Sequence, residues 1–208
     1  MRRTKAEAEE TRQNILLAAE RVFFEKGVAN SSLEDVAAAA GVTRGAIYWH
    51  FASKTDLFLE LYRSVPLPQA DMLDFDELAS SEGDILTCIE NAACYWLVLL
   101  GGDERRQRIM TILLRTNYTE EFEVVLRAQQ ELDDYHSRNF GRAFSQACRL
   151  GKLDSRWTPE TASQAAKWMI KGMCNEWLLF GKRFDLAGEG VKAVRQLFAG
   201  FRAPDAPR

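Results

Sequence analysis

Apolar residues recur at helical spacing along almost the whole chain, and no stretch alternates apolar and polar positions as a half-buried strand does. The pattern predicts an all-α protein. In the first segment Ile15, Ala19, Val22 and Phe23 form one stripe that stops at Gly27. Ser32, Leu33, Glu34 and Asp35 carry the S-x-x-[DE] capping pattern, and Leu33, Val36, Ala37 and Ala40 make the buried face of a short second helix broken by Gly41. Thr43 opens a third helix whose Ile47 and Phe51 point inward. Ser53 to Asp56 cap a fourth, with Leu57, Phe58 and Leu61 as its stripe.

Pro66 to Ser81, with its prolines and acids, reads as an irregular connection. Longer helices are predicted near 83–101, 103–116, 119–150, 159–182 and 188–202. The third of these places Phe122, Leu126, Leu132, Phe140, Ala143, Ala147 and Leu150 near one face, and at 1.5 Å per residue it spans about 45 Å. Thr158-Pro159-Glu160 is a helix start with proline at the first position. This organisation predicts a helix-turn-helix domain over 1–64 and a larger helical domain over 65–208.

Composition narrows the partners. The chain has 208 residues, 47% hydrophobic and 27% charged, with a net charge of −3, so a histone-like coat of positive charge is excluded. Acidic and basic residues balance within 1–64, which leaves an acidic body behind a neutral head. Any nucleic-acid contact must therefore come from a local patch. No apolar run opens the chain, and the longest one, 92–100, is short for a bilayer, so a cytoplasmic protein without membrane contact is expected. Cys88, Cys94, Cys148 and Cys174 show no CxxC pairing, and no metal or other cofactor is expected.

Two short helices joined by a glycine turn are the minimum needed to place one helix in a major groove about 12 Å wide. The third helix is anchored by Ile47 and Phe51, and its other side offers Arg44, Gly45, Tyr48 and Trp49. Arg44 can fork onto a guanine edge or a phosphate, while Tyr48 and His50 can donate to phosphate oxygens. Gly45 suits a close approach of backbone to DNA, and Lys54 adds charge at the start of the fourth helix, a ready phosphate site. The alternative, that the aromatics pack on the second domain, accounts for Tyr48 or Trp49 singly but not for cap, turn, anchors and polar face together.

Gly41-Val42-Thr43-Arg44-Gly45-Ala46-Ile47-Tyr48-Trp49-His50-Phe51, followed by Lys54, resembles the DNA-binding signature of the TetR family of bacterial transcription regulators. Arg2-Arg3-Thr4-Lys5, Thr11-Arg12, Arg105-Arg106 with Ile112-Leu113, and Trp177-Leu178 with Phe184-Asp185-Leu186 are similar to its branch of multidrug-efflux repressors. The resemblance implies a homodimer with two DNA-binding heads under ligand-binding bodies, released from a palindromic operator on double-stranded DNA by a small hydrophobic or aromatic inducer. It implies DNA contacts at Ser32 (or Ser31), Thr43, Arg44, Gly45, Tyr48, Trp49, His50 and Lys54. The basic arm Arg2, Arg3 and Lys5 adds phosphate contacts or is a plain flexible terminus.

The resemblance also places the inducer pocket among the body helices, near Trp96, Ile109, Leu113, Ile170 and Cys174. Lys167 and Lys171 lie on the same face as Cys174. Either they are solvated or paired with acids of the 119–150 segment, or one faces the cavity and selects an anionic or phenolic ligand. The run from Asp103 to Arg108 reads as a solvated helix face. A regulator of a metabolic operon, sensing a fatty acid or aromatic acid, is the alternative function. An enzyme would need a convergent acid, base or nucleophile set, and none is apparent in the sequence.

Overall fold

The computed structural model describes residues 4–65 and 84–204. Its helices are α1 (Lys5–Lys26), α2 (Leu33–Ala40), α3 (Arg44–His50), α4 (Lys54–Arg63), α5 (Ile85–Gly102), α6 (Glu104–Arg115), α7 (Glu123–Arg149), α8 (Pro159–Leu179) and α9 (Val191–Phe201). No strand occurs among the described residues, where the one β contact is an isolated bridge between Leu153 and Arg202. The connection expected over 66–81, and Arg2 and Arg3 of the basic arm, lie outside the described residues.

The chain divides into two compact units, Met1–Pro66 with Arg105–Gln129, and Leu67–Glu104 with Gln130–Arg208. The first unit thus takes in α6 and the start of α7 besides the expected 1–64. Its core explains why. Ile15, Ala19, Val22 and Phe23 of α1 meet Leu33 and Val36 of α2, Ile47, Phe51, and Leu57, Phe58 and Leu61 of α4. Ile109, Ile112 and Leu113 of α6, with Phe122 and Val125, belong to the same cluster. Phe58 stands edge-on to both Phe23 and Phe122, each pair 5.9 Å between ring centres.

Local signals set the elements of this unit. Thr4 and Glu7 make a reciprocal capping box at α1, and Ser32 and Asp35 make another at α2. Gly41 ends α2 in the left-handed conformation at φ 66°, where a side chain would be strained, and so turns the chain into α3 within two residues. The run from Asp103 to Arg108 departs from the expected solvated face. Arg106 and Gln107 are buried, and Arg105 and Arg108 reach Glu20 of α1.

In the second unit Phe144, Phe198, Phe201 and Trp157 form an aromatic cluster with ring centres 4.9–6.0 Å apart. The Trp157 indole N–H donates to the Gly200 carbonyl. By length and composition α5 could cross a membrane, a longer apolar run than the 92–100 stretch. Here it is a core helix: Leu86, Ile89, Leu97 and Leu100 are fully buried, and its Glu90 pairs with Arg202 at 2.8 Å. On α7, Ala143 and Ala147 are buried as expected. Phe144 and Asn139 join them, whereas Leu150 lies beyond the helix end and is exposed. The α8 helix stops at Leu179 rather than 182, because Gly181 adopts φ 82° and the Lys182 N–H closes back on the Trp177 carbonyl. The last predicted helix begins as a single wide turn, Leu186–Gly190, and becomes α-helical at Val191.

Candidate nucleic-acid interface

The short helix α3 buries only Ile47 among its seven residues, and Phe51 follows it into the core. Ring and ion-pair contacts fix that anchor: the Arg12 guanidinium lies over the Phe51 ring at 5.5 Å while pairing with Glu60. Ala46 and His50 are half-buried, and the other four residues of α3 are exposed. Arg44 is three-quarters exposed, Trp49 is 72% exposed and Tyr48 is 45% exposed. Thr43 is exposed as well, with its hydroxyl accepting from the Ala46 N–H as the helix cap. The His50 ring stands edge-on to Trp49 at 4.5 Å. A Cβ built on Gly45 would meet nothing within 4 Å, so the protein's own packing does not demand glycine there. The open space is on the outer side, where a ligand backbone can come close.

This outer face carries charge of both signs. Arg44 Nε lies 3.1 Å from Glu34 Oε1 of α2 as an exposed ion pair, and the Tyr48 hydroxyl donates to the same oxygen at 3.3 Å. The guanidinium also lies over the Tyr48 ring at 5.6 Å. Glu34 was not among the residues anticipated for this face. Its signal in the sequence was ordinary, an acid in the first turn of a helix.

Two anticipated DNA contacts are engaged within the protein. Ser32 Oγ accepts from the Asp35 N–H and donates to Asp35 Oδ2, while the Ser32 N–H donates to that same oxygen. The Lys26 ammonium, with these bonds from Ser32, lowers the Asp35 carboxyl to about 2. Lys54 points inward: its ammonium donates to the Ser31 carbonyl at 3.2 Å and lies 5.3 Å over the Phe122 ring. Its side chain is only 17% exposed, and Glu121 stands 3.8 Å away. The expectation of a lysine extended toward phosphate took no account of this carbonyl and ring, which satisfy the ammonium locally. Ser31 is buried, its hydroxyl donating to backbone carbonyls.

The anticipated pocket residues fall into two groups. Ile109 and Leu113 are buried in the core of the first unit with Ile15 and Phe23. Periodicity marks them as a buried face, but does not say which core takes that face. Trp96, Lys167, Ile170, Lys171 and Cys174 belong to the second unit. Burial pushes the Cys174 thiol up to about 12, against a hydrogen bond with Trp96. Lys167 and Lys171 divide one carboxylate, Asp133 of α7, at 2.9 and 2.8 Å, and Lys167 also donates to Ser137 Oγ. Burial alone would raise Asp133, and the hydrogen bonds from Lys171 and Lys167 hold it below the ordinary carboxylate value. Of the readings open for these lysines, pairing with an acid of the long helix is the one observed. An open cleft of about 370 Å³ in the first unit, bounded by Leu17, Glu20, Ala40 and Arg108, contains no residue of either candidate set.

Residues 15–61 match the family described as bacterial regulatory proteins, tetR family, and residues 84–202 match the MAATS-type transcriptional repressor, C-terminal region. The chain is 40% identical over 205 residues, 98% of each protein, to the HTH-type transcriptional repressor BepR of Brucella suis biovar 1 (strain 1330). Its fold is similar to that of NalD, the secondary repressor of the MexAB-OprM multidrug efflux pump in Pseudomonas aeruginosa. That match has a TM-score of 0.82 and 34% identity, and covers 97% of this chain and 100% of that one. The complex of SmeT with triclosan is similar at a TM-score of 0.77 and 29% identity, covering 95% of this chain and 93% of that one. SmeT is the repressor of the Stenotrophomonas maltophilia efflux pump SmeDEF.

Proposed function

The chain belongs to the TetR family of bacterial transcriptional regulators, and from that membership we propose that it is a ligand-responsive repressor of a multidrug-efflux operon. It binds a palindromic operator as a homodimer in the cytoplasm and carries no catalytic activity. The observation that carries the reading is α3: a helix anchored by Ile47 and Phe51 whose Arg44, Tyr48 and Trp49 are all exposed beside a glycine with open space. Thr43, Arg44, Gly45, Tyr48, Trp49 and His50 form the groove-facing set. Ser32 and Lys54 support it from behind, through the α2 cap and the Ser31 carbonyl.

A homodimer fits the exposed apolar side of α8. Trp168, midway along α8, is two-thirds exposed, and Leu179 and Phe180 are exposed at its C-terminal end, which is apolar area that a second copy would cover. The efflux target and the lipophilic or aromatic inducer rest on the relatives, since NalD represses an efflux pump and SmeT binds triclosan. Trp96, Ile170 and Cys174 are the proposed ligand contacts of the second unit. Because both lysines lean on Asp133 and Lys171 is more than half exposed to water, they give no separate support to a fatty-acid or aromatic-acid sensor.

Footprinting of the gene's own upstream DNA tests the reading, with and without lipophilic cations, phenolics and carboxylates. A symmetric footprint erased by a lipophilic or phenolic compound is expected. A footprint erased only by carboxylates would move the assignment to a metabolic operon.

A further inference from the structure

An acid sits in the middle of the face assigned to DNA. Glu34 is on the second residue of α2, half-exposed, and a carboxylate there repels the phosphate backbone. Helix-dipole stabilisation explains an acid in this turn whichever way its side chain points. It does not explain why one oxygen of that acid both pairs with the Arg44 guanidinium and accepts from the Tyr48 hydroxyl, from positions ten and fourteen residues further along the chain.

We infer that Glu34 is a specificity-determining residue that positions Arg44 for a base edge and denies it to phosphate. The inference rests on the DNA-face reading of α3 given above. The guanidinium is permanently charged, and its N–H groups are fixed in a planar fork. Glu34 Oε1 lies 3.1 Å from Nε and the guanidinium stands 5.6 Å from the Tyr48 ring centre, while the side chain stays three-quarters exposed and so keeps N–H groups open to a ligand. Two N–H groups of a guanidinium can meet guanine O6 and N7 together. Held this way, Arg44 is neutralised toward the backbone and open toward a base. Without Glu34 the same arginine is a mobile cation that pairs with phosphates of any sequence. Glu34 therefore lowers affinity for DNA in general and raises the ratio of operator to non-operator binding.

The test uses the full-length protein, the palindromic duplex that it selects from a random pool, and a mixed-sequence duplex lacking that palindrome. Affinities for both are measured across a salt series for wild type, Glu34→Gln, Arg44→Ala and the double variant. Glu34→Gln is expected to bind the mixed-sequence duplex more tightly, and to steepen the dependence of log K on log salt by about 0.9 as one more phosphate contact forms. The ratio of selected to mixed-sequence binding should fall about tenfold. In the Arg44→Ala background the Glu34→Gln change should leave that ratio where Arg44→Ala alone puts it, because Glu34 acts through Arg44.

An unchanged ratio and slope in Glu34→Gln overturns the inference and leaves the DNA reading intact. An equal loss on both duplexes, or a loss that persists without Arg44, assigns Glu34 a purely structural role and also overturns it. Wild type that binds neither duplex overturns the DNA reading and this inference together. Glu34→Asp, which keeps the charge but withdraws the oxygen from Arg44, gives a second measure: its ratio should also fall, and a ratio equal to wild type counts against the positioning.

Discussion

Arg108 Nε lies 2.6 Å from Oε1 of Glu20, a carboxylate buried on the core side of α1. Arg105 Nε takes the other oxygen at 3.0 Å and its terminal nitrogen donates to Ser64 Oγ. A buried carboxylate is costly unless paired, and here two arginines of α6 fork onto it. This pairing and the apolar face of Ile109, Ile112 and Leu113 make α6 part of the first unit.

Glu20→Gln should therefore destabilise the protein by about 2 kcal/mol, the scale of charged hydrogen bonds lost by arginines that stay partly in water. Urea unfolding followed by helical signal measures this. A variant within a few tenths of a kcal/mol of wild type would mean that the clamp contributes little.

The capping box of α2 was legible in the sequence because its partners, Ser32 and Asp35, are three residues apart. Gly41, the anchors Ile47 and Phe51, and the helix spans to within a few residues of their ends were legible from local residue type and spacing. What was not legible joins distant residues. Nothing in the spacing of Glu20 links it to Arg108, or Asp133 to Lys167 and Lys171. An acid directly after Ala19 and three residues before Phe23 of the first stripe was nevertheless a hint that something must meet Glu20. Periodicity showed that Ile109 and Leu113 are buried, without saying which core takes them. The inward turn of Lys54 depended on a backbone carbonyl and on Phe122, far along the chain.

The Asp35 cap makes a prediction in acid. Its carboxyl is lowered from 3.8 to about 2, chiefly by the hydrogen bond from Lys26 and then by those from Ser32. The folded protein holds the proton less tightly than the unfolded chain. The stabilisation is thus fully present above pH 3.8 and is lost as pH falls through about 2. Asp35→Asn should be less stable at neutral pH, and the gap to wild type should narrow across that window. A constant gap would contradict the assignment.

Thiol labelling should discriminate sharply among the cysteines. Cys148 is exposed, whereas Cys174 is buried with its thiol pushed up to about 12, so little thiolate is available at mild pH. A thiol reagent at pH 8, read by peptide mass spectrometry, should modify Cys148 in the folded protein and reach Cys174 only in denaturant. Rapid labelling of Cys174 in the folded protein would contradict its burial.

Trp168→Glu should weaken the proposed dimer by about 2 kcal/mol or more, as expected when a central aromatic anchor is lost. Light scattering across a dilution series measures the shift toward monomer, and circular dichroism checks that helix content is kept. A dimer of unchanged strength would move the interface away from this face of α8.

The most direct test of the account is the affinity of the purified protein for its own upstream palindrome and for a scrambled duplex, measured by fluorescence anisotropy across a salt series. Arg44→Ala is run alongside. The account predicts that wild type prefers the palindrome by about a thousandfold or more, with affinity falling linearly in log salt. It also predicts that Arg44→Ala loses most of that preference. Equal binding of both duplexes, or an Arg44→Ala variant that keeps the full preference, would contradict the claim that α3 reads the operator.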